Sequence, residues 1–252
     1  MAPPRIYLTG HLAIECGPTL VDERHLAGRQ GRLAFAYLVT HRATPVSRDE
    51  LLEVIWQDAP PAEVETALSA ILSKLRGALK KAQLADAGID LRMGALSIRL
   101  PADTRIDLEE AANAIDTAEG CWRQGDPRQA WADANVAVAV GRRPFLAHED
   151  AAWIVTQRDK LRALAGRGLQ VLTSASADNG ETELAVQYAN EIVALDPFRE
   201  TGYQQLMRLH ARMGNRGEAL RVFSRLRVLL RDELGTSPSP QSEAVFRDIL
   251  TA

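Results

Sequence analysis

GYQQLMRLHARMGNRGEALRVFSRLRVLLRDELGTSPSP, residues 202–240, carries two apolar stripes at helical spacing and then a stop. In its first half Tyr203, Leu206, Leu209 and His210 share one face, with Met207 and Met213 beside them. In its second half Ala219, Leu220, Phe223, Leu226 and Leu230 do the same. A stripe recurring every three or four residues makes a helix amphipathic and obliges it to bury that face against a neighbour. Gly214-Asn215 is the turn between the two, and the Pro/Ser-rich run closes the second. The stretch predicts a helical hairpin.

Working outward, Gly-x-x-x-x-Ala appears three times, at Gly125/Ala130, Gly180/Ala185 and Gly214/Ala219. Four residues beyond each Ala stand Ala134, Ala189 and Phe223; seven beyond stand Ala137, Ile192 and Leu226. The later two copies are spaced as in tetratricopeptide helix pairs, and the longer first interval is taken up by a loop around Arg142-Arg143-Pro144-Phe145 and a long helix over about 150–175. Stacked pairs of this kind bury one continuous core and leave a surface suited to peptides, partner helices or a small effector.

The N-terminal half reads differently. Residues 5–15 alternate and are rich in β-formers, as in a short sheet. A helix follows over 29–41, then Pro45, a Ser47 N-cap and Glu50 three residues on, the capping-box pattern that starts a short helix over 48–56. After a Pro-rich loop, a longer helix spans 62–83 with Val64, Leu68, Ile71, Leu72, Leu75 and Leu79 on one stripe. Residues 89–100 alternate around Met93-Gly94 and predict a hairpin. Sheet, three helices and a basic hairpin are the order of a winged helix-turn-helix. Pro101 to Arg105 interrupts both patterns, which predicts a boundary between domains 1–103 and 106–252.

The face of the third helix opposite its stripe holds Thr66, Ala70, Ser73, Gly77, Lys80 and Lys81, flanked by Ser69, Lys74 and Arg76. Small side chains permit close approach to a surface, hydroxyls can reach base edges and cations can neutralise phosphates. Arg92 and Arg99 on the hairpin are candidates for a minor groove. The competing reading makes all these charges a solvated surface. Glu63 and Glu65 suit the positive end of the helix dipole and would repel phosphate there, so the middle and end of the helix are expected to approach DNA.

The segment ALDPFRETGYQQLMRLHARMGNRGEALRVFSRLRVLLRDELGTSPSP, with its Leu-Asp-Pro, Gly-x-x-x-x-Ala-Leu and Asp-Glu-Leu-Gly-x-x-Pro-Ser-Pro, resembles the bacterial transcriptional activator domain of Streptomyces antibiotic regulatory protein-type regulators. With the preceding helices the resemblance covers residues 106–250, and the N-terminal half resembles the OmpR-type winged helix of the same family. That family's third helix typically reads Ala-Leu-Arg-Val-His-Val-Ser-Arg-Leu-Arg-x-Ala-Leu. Here Ser73 and Arg76 match and Lys74 keeps the charge, while Ser69 and Ile71 replace an Arg and a His, and the wing's Gly-Tyr is Gly94-Ala95. The resemblance implies a mostly α protein: a winged helix with small sheets, then a tetratricopeptide-like array. It also implies a transcription regulator, an activator that binds double-stranded DNA as a homodimer on tandem half-sites. RNA polymerase would be contacted through the loop of Trp56, Gln57, Asp58 and Pro60, although a Trp after Val54-Ile55 also fits a core.

Composition sets the outer bounds. The net charge of −3 and nearly balanced charges in residues 1–105 supply no global field for nucleic acid, so any contact rests on a local patch. The chain has no leader pattern and no membrane-length apolar run, which predicts a cytoplasmic protein without membrane contact. Cys16 and Cys121 stand apart without a Cys-x-x-Cys partner and predict buried thiols. Scattered histidines, no Gly-x-x-x-x-Gly-Lys and no Gly-x-Ser-x-Gly predict a non-enzyme with no cofactor and no metal site, His148-Glu149-Asp150 being a polar helix start. The alternative function is a signal-binding or adaptor protein whose winged helix no longer reads DNA.

Overall fold

In a computed structural model, residues 2–57 and 59–251 are described. Contacts divide the chain into two compact units, Met1–Glu110 with Arg143–Asp159, and Ala111–Arg142 with Lys160–Ala252. Among the described residues no helix is long and apolar enough to cross a membrane.

The first unit opens with β1 (Arg5–Tyr7), β2 (Ala13–Cys16) and β3 (Thr19–Asp22), an antiparallel meander. Its fourth strand is β7 (Arg105–Ile106), parallel to β1, giving the order β3-β2-β1-β7. Three helices follow the meander: α1 (Gly28–Thr40), α2 (Arg48–Trp56) and α3 (Val64–Lys81). Between them β4 (Val46–Ser47) joins β5 (Gly88–Arg92) and β6 (Ala95–Arg99) in a second sheet of order β4-β6-β5. The turn of that hairpin, Met93-Gly94, has φ of 47° and 76°, the positive values that a type I′ turn requires at both central positions.

The stretch 101–105 is not a free linker. Thr104 is buried, and the Arg105 N–H donates to the Pro4 carbonyl at 2.8 Å. Immediately after β7, Asp107 begins α4 (Asp107–Arg123) as a buried carboxylate. It accepts the Leu8 N–H at 3.0 Å, the Thr9 N–H at 2.9 Å, the Thr9 hydroxyl at 2.7 Å and the Leu108 N–H at 2.9 Å. No sequence pattern announced this residue.

The segment 143–159, expected as a loop and helix start of the helical array, belongs to the first unit. Phe145 is fully buried there and bridges to Thr9, the Gly10 N–H donates to Pro144, and Trp153 meets Tyr37 and Phe145 edge-on at 5.0 and 5.8 Å. Arg29 Nε and Glu149 pair at 2.9 Å, so Glu149 of the triplet 148–150 serves an ion pair. No group of side chains suited to a metal occurs among the described residues.

The second unit contains the rest of α4, then α5 (Pro127–Gly141), the body of α6 (Ala152–Asp178), α7 (Thr182–Leu195), α8 (Glu200–Arg212), α9 (Arg216–Leu234) and α10 (Pro240–Thr251). The three sequence repeats are three copies of one turn. Gly125, Gly180 and Gly214 have φ of 80°, 83° and 74°, and the N–H after each bonds the carbonyl five residues back at 2.8–2.9 Å. Ala130, Ala185 and Ala219 are all 0% exposed. Leu in place of Ala185 or Ala219 is therefore expected to overpack and cost roughly 1–3 kcal/mol in thermal or urea unfolding. Variants that melt like the parent would mean the stacking register is misplaced.

The Pro/Ser stop leads into a further helix that the sequence reading did not foresee. Gly235, at φ 63°, ends α9, and Ser239 with Pro240 starts α10, whose Val245 and Ile249 enter the same core. Glu200 accepts from the Ser239 N–H and hydroxyl and from the fully buried Ser242 hydroxyl at 2.5 Å. Burial pushes the Glu200 carboxyl up, yet these donors outweigh it and hold the group below its usual range. Cys16 is buried as expected, and Cys121 is half-buried.

Candidate nucleic-acid interface

The sequence of α3 divides cleanly into two faces. Leu68, Ile71, Leu72, Leu75, Ala78 and Leu79 are buried, whereas Thr66, Ser69, Ala70, Ser73, Lys74, Arg76, Gly77, Lys80 and Lys81 are exposed. Ile71, where the related motif has His, is 6% exposed and serves the core.

The helix is held from both ends. At its start Arg48, the first residue of α2, pairs with Glu65, which offsets one of the two acids expected to repel phosphate. The Ser47 hydroxyl caps α2 by accepting the Glu50 N–H at 3.1 Å. Glu50 accepts instead from the Tyr37 hydroxyl. Burial, reinforced by that carboxylate, pushes the Tyr37 phenol up to about 12. The Arg48 N–H also donates to the Gly94 carbonyl at 2.9 Å, joining α2 to the tip of the β5–β6 hairpin.

The candidate cations fall into two groups. Arg76 Nε donates to the Ile89 carbonyl of β5 at 3.0 Å, so this side chain fastens α3 to the hairpin and keeps only its remaining N–H groups for a phosphate. Lys81 Nζ lies 2.6 Å from His25 Nε2, and His25 Nδ1 lies 3.0 Å from Asp22. Arg99 Nε is 3.7 Å from Asp90 across the hairpin. Lys74, Lys80 and Arg92 are exposed and have no ion pair among the described residues. Lys74 and Lys80 thus share the exposed side of α3 with hydroxyls and small side chains, and Arg92 is a third uncommitted cation on the hairpin. Arg92 adjoins Met93, the fully exposed residue at the hairpin tip.

The loop expected to meet polymerase is partly corrected. Trp56 is 8% exposed and closes the buried face of α2 with Leu51, Val54 and Ile55, because its apolar ring completes that stripe. It is a core residue. Gln57 and Pro60 are exposed, Gln57 at φ 50°, and Asp58 lies outside the described residues.

Residues 106–250 match the bacterial transcriptional activator domain. The regulatory protein AfsR of Streptomyces coelicolor is 28% identical over 223 residues, 88% of this chain and 22% of its own length. The transcriptional regulatory protein MoaR1 of Mycobacterium bovis is 28% identical over 230 residues, 87% of this chain and 71% of its own. The chain thus spans about a fifth of the first relative and most of the second. Mycobacterium tuberculosis EmbR, solved in complex with a low affinity phosphopeptide, superposes with a TM-score of 0.81 at 22% identity, over 98% of this chain and 65% of that one. That likeness shows a shared fold. With more than half its length matched, the chain belongs to the bacterial transcriptional activator domain family.

Proposed function

We propose that this chain is a DNA-binding transcription regulator, an activator in which α3 lies in the major groove and the β5–β6 hairpin rests on the adjacent backbone. The observation that carries this reading is the exposed face of α3. Hydroxyls at Thr66, Ser69 and Ser73 are exposed on the same helix as Lys74 and Lys80, with a buried stripe behind them and Arg92 on the neighbouring hairpin. Lys74 and Lys80 supply phosphate contact, the short hydroxyls reach base edges, and Arg76 serves first to fix the helix on the hairpin. The names of AfsR and MoaR1 as regulatory proteins support the same class.

In this reading the winged helix within residues 1–103 is the reading module, and the helices of the second unit, Ala111–Arg142 with Lys160–Ala252, are an effector or dimerisation array. Two protomers occupy tandem half-sites, and the exposed Gln57 and Pro60 face RNA polymerase in the cytoplasm. Selection from a random duplex pool tests it. The parent should enrich one motif, and Ser69→Ala or Ser73→Ala should shift the preferred bases with little loss on random DNA. A folded parent that enriches nothing favours the adaptor.

A further inference from the structure

The three copies of the repeat turn share a backbone but not their side chains. Trp122 stands where the later copies carry Ala177 and Ala211, and Trp131 where they carry Val186 and Leu220. The turn does not need an indole at either position. Both tryptophans instead line a cavity of about 690 Å³ in the second unit, between the first and second turns. That volume suits a small organic ligand, and Trp131 remains 45% exposed at its mouth.

The opposite wall includes Ser176. Ser176 is 2% exposed and its hydroxyl has no hydrogen-bond partner among the described residues, whereas Thr173 on the same helix donates to the Leu169 carbonyl at 2.7 Å. That hydroxyl is covered by its neighbours, so the polar recognition of a ligand falls to the groups at the cavity surface. The charged lining groups are Asp178, Glu181 and Arg128, two carboxylates against one guanidinium. Indole faces beside an excess of carboxylate attract an organic cation.

We propose that this cavity binds a small molecule with a flat apolar body and a protonated amine, the body against Trp122 and Trp131 and the amine toward Asp178 and Glu181. The inference stands apart from DNA reading, because the site lies wholly in the second unit and its test uses no DNA.

The test is calorimetric titration of the whole chain with three probes of one body, 1-naphthylmethylammonium, 1-naphthalenemethanol and 1-naphthylacetate. The cation is expected to bind about ten-fold more tightly than the alcohol or the anion. Trp131→Ala and Asp178→Asn, both at exposed positions, should each weaken it by about ten-fold without changing the melting temperature. Equal affinities for the three probes, tighter binding of the anion, no heat at millimolar probe, or cation binding untouched by these substitutions would each overturn the proposal.

Discussion

Asp107→Ala is expected to lose roughly 2–6 kcal/mol of folding stability, since two buried backbone donors are left unpaired at about 1–3 kcal/mol each. The Leu8 and Thr9 N–H groups and the Thr9 hydroxyl all converge on this carboxylate, and among the described residues they have no second acceptor. Because whole domains are stable by only about 5–15 kcal/mol, the loss is a large share of the total. Asp107→Asn retains one acceptor oxygen and should fall between. The same bonds hold β7 beside β1, so limited proteolysis of the parent should spare 101–105, where sequence alone places a domain boundary, and Asp107→Ala should expose it. Urea unfolding within about 0.5 kcal/mol of the parent would show that the carboxylate does not carry this junction.

Gly31→Ala should also be strongly destabilising, although an interior helical glycine normally gains about 1 kcal/mol on becoming alanine. A Cβ at Gly31 would stand 1.7 Å from the Leu26 carbonyl oxygen, because the chain entering α1 folds back over its first turn. That neighbour is backbone and cannot swing aside, so we expect a loss of roughly 1–3 kcal/mol or more. Gly77, on the exposed face of α3 with nothing within 4 Å of a new Cβ, is the control. Gly77→Ala should gain about 1 kcal/mol. If both substitutions raise the melting temperature in thermal unfolding, the entry to α1 takes a different course.

Periodicity made the helices legible. The stripe from Leu68 to Leu79 is buried, the helix over 48–56 coincides with α2, and Ser47 caps it. The repeat was legible because Gly with positive φ and a small Ala are each demanded by one backbone geometry. What stayed hidden depended on contacts distant in sequence. Asp107 reads as an ordinary acid at a helix start, β7 has only two residues, and Phe145 and Trp153 are separated by more than a hundred residues from Thr9 and Tyr37. α10 had a readable signal in Ser239-Pro240 followed by Val245 and Ile249, masked by taking Pro as an end when it also begins helices. On the interface, sequence found the exposed face but not the division of its cations. Nothing in the spacing tells that Arg76 is tied to Ile89 while Lys74 and Lys80 are not.

That division gives the central measurement, duplex affinity of the whole chain across a salt series. For a selected site, Lys74→Ala and Lys80→Ala should each weaken binding and each reduce the slope of log affinity against log salt by about 0.9, the counterion share of one phosphate contact. Lys81→Ala, whose ammonium is engaged with His25, should change the slope far less. Parent binding whose salt slope is untouched by either Lys74→Ala or Lys80→Ala, or no binding by the folded parent even at low salt, would contradict the assignment of α3 as the DNA-reading helix.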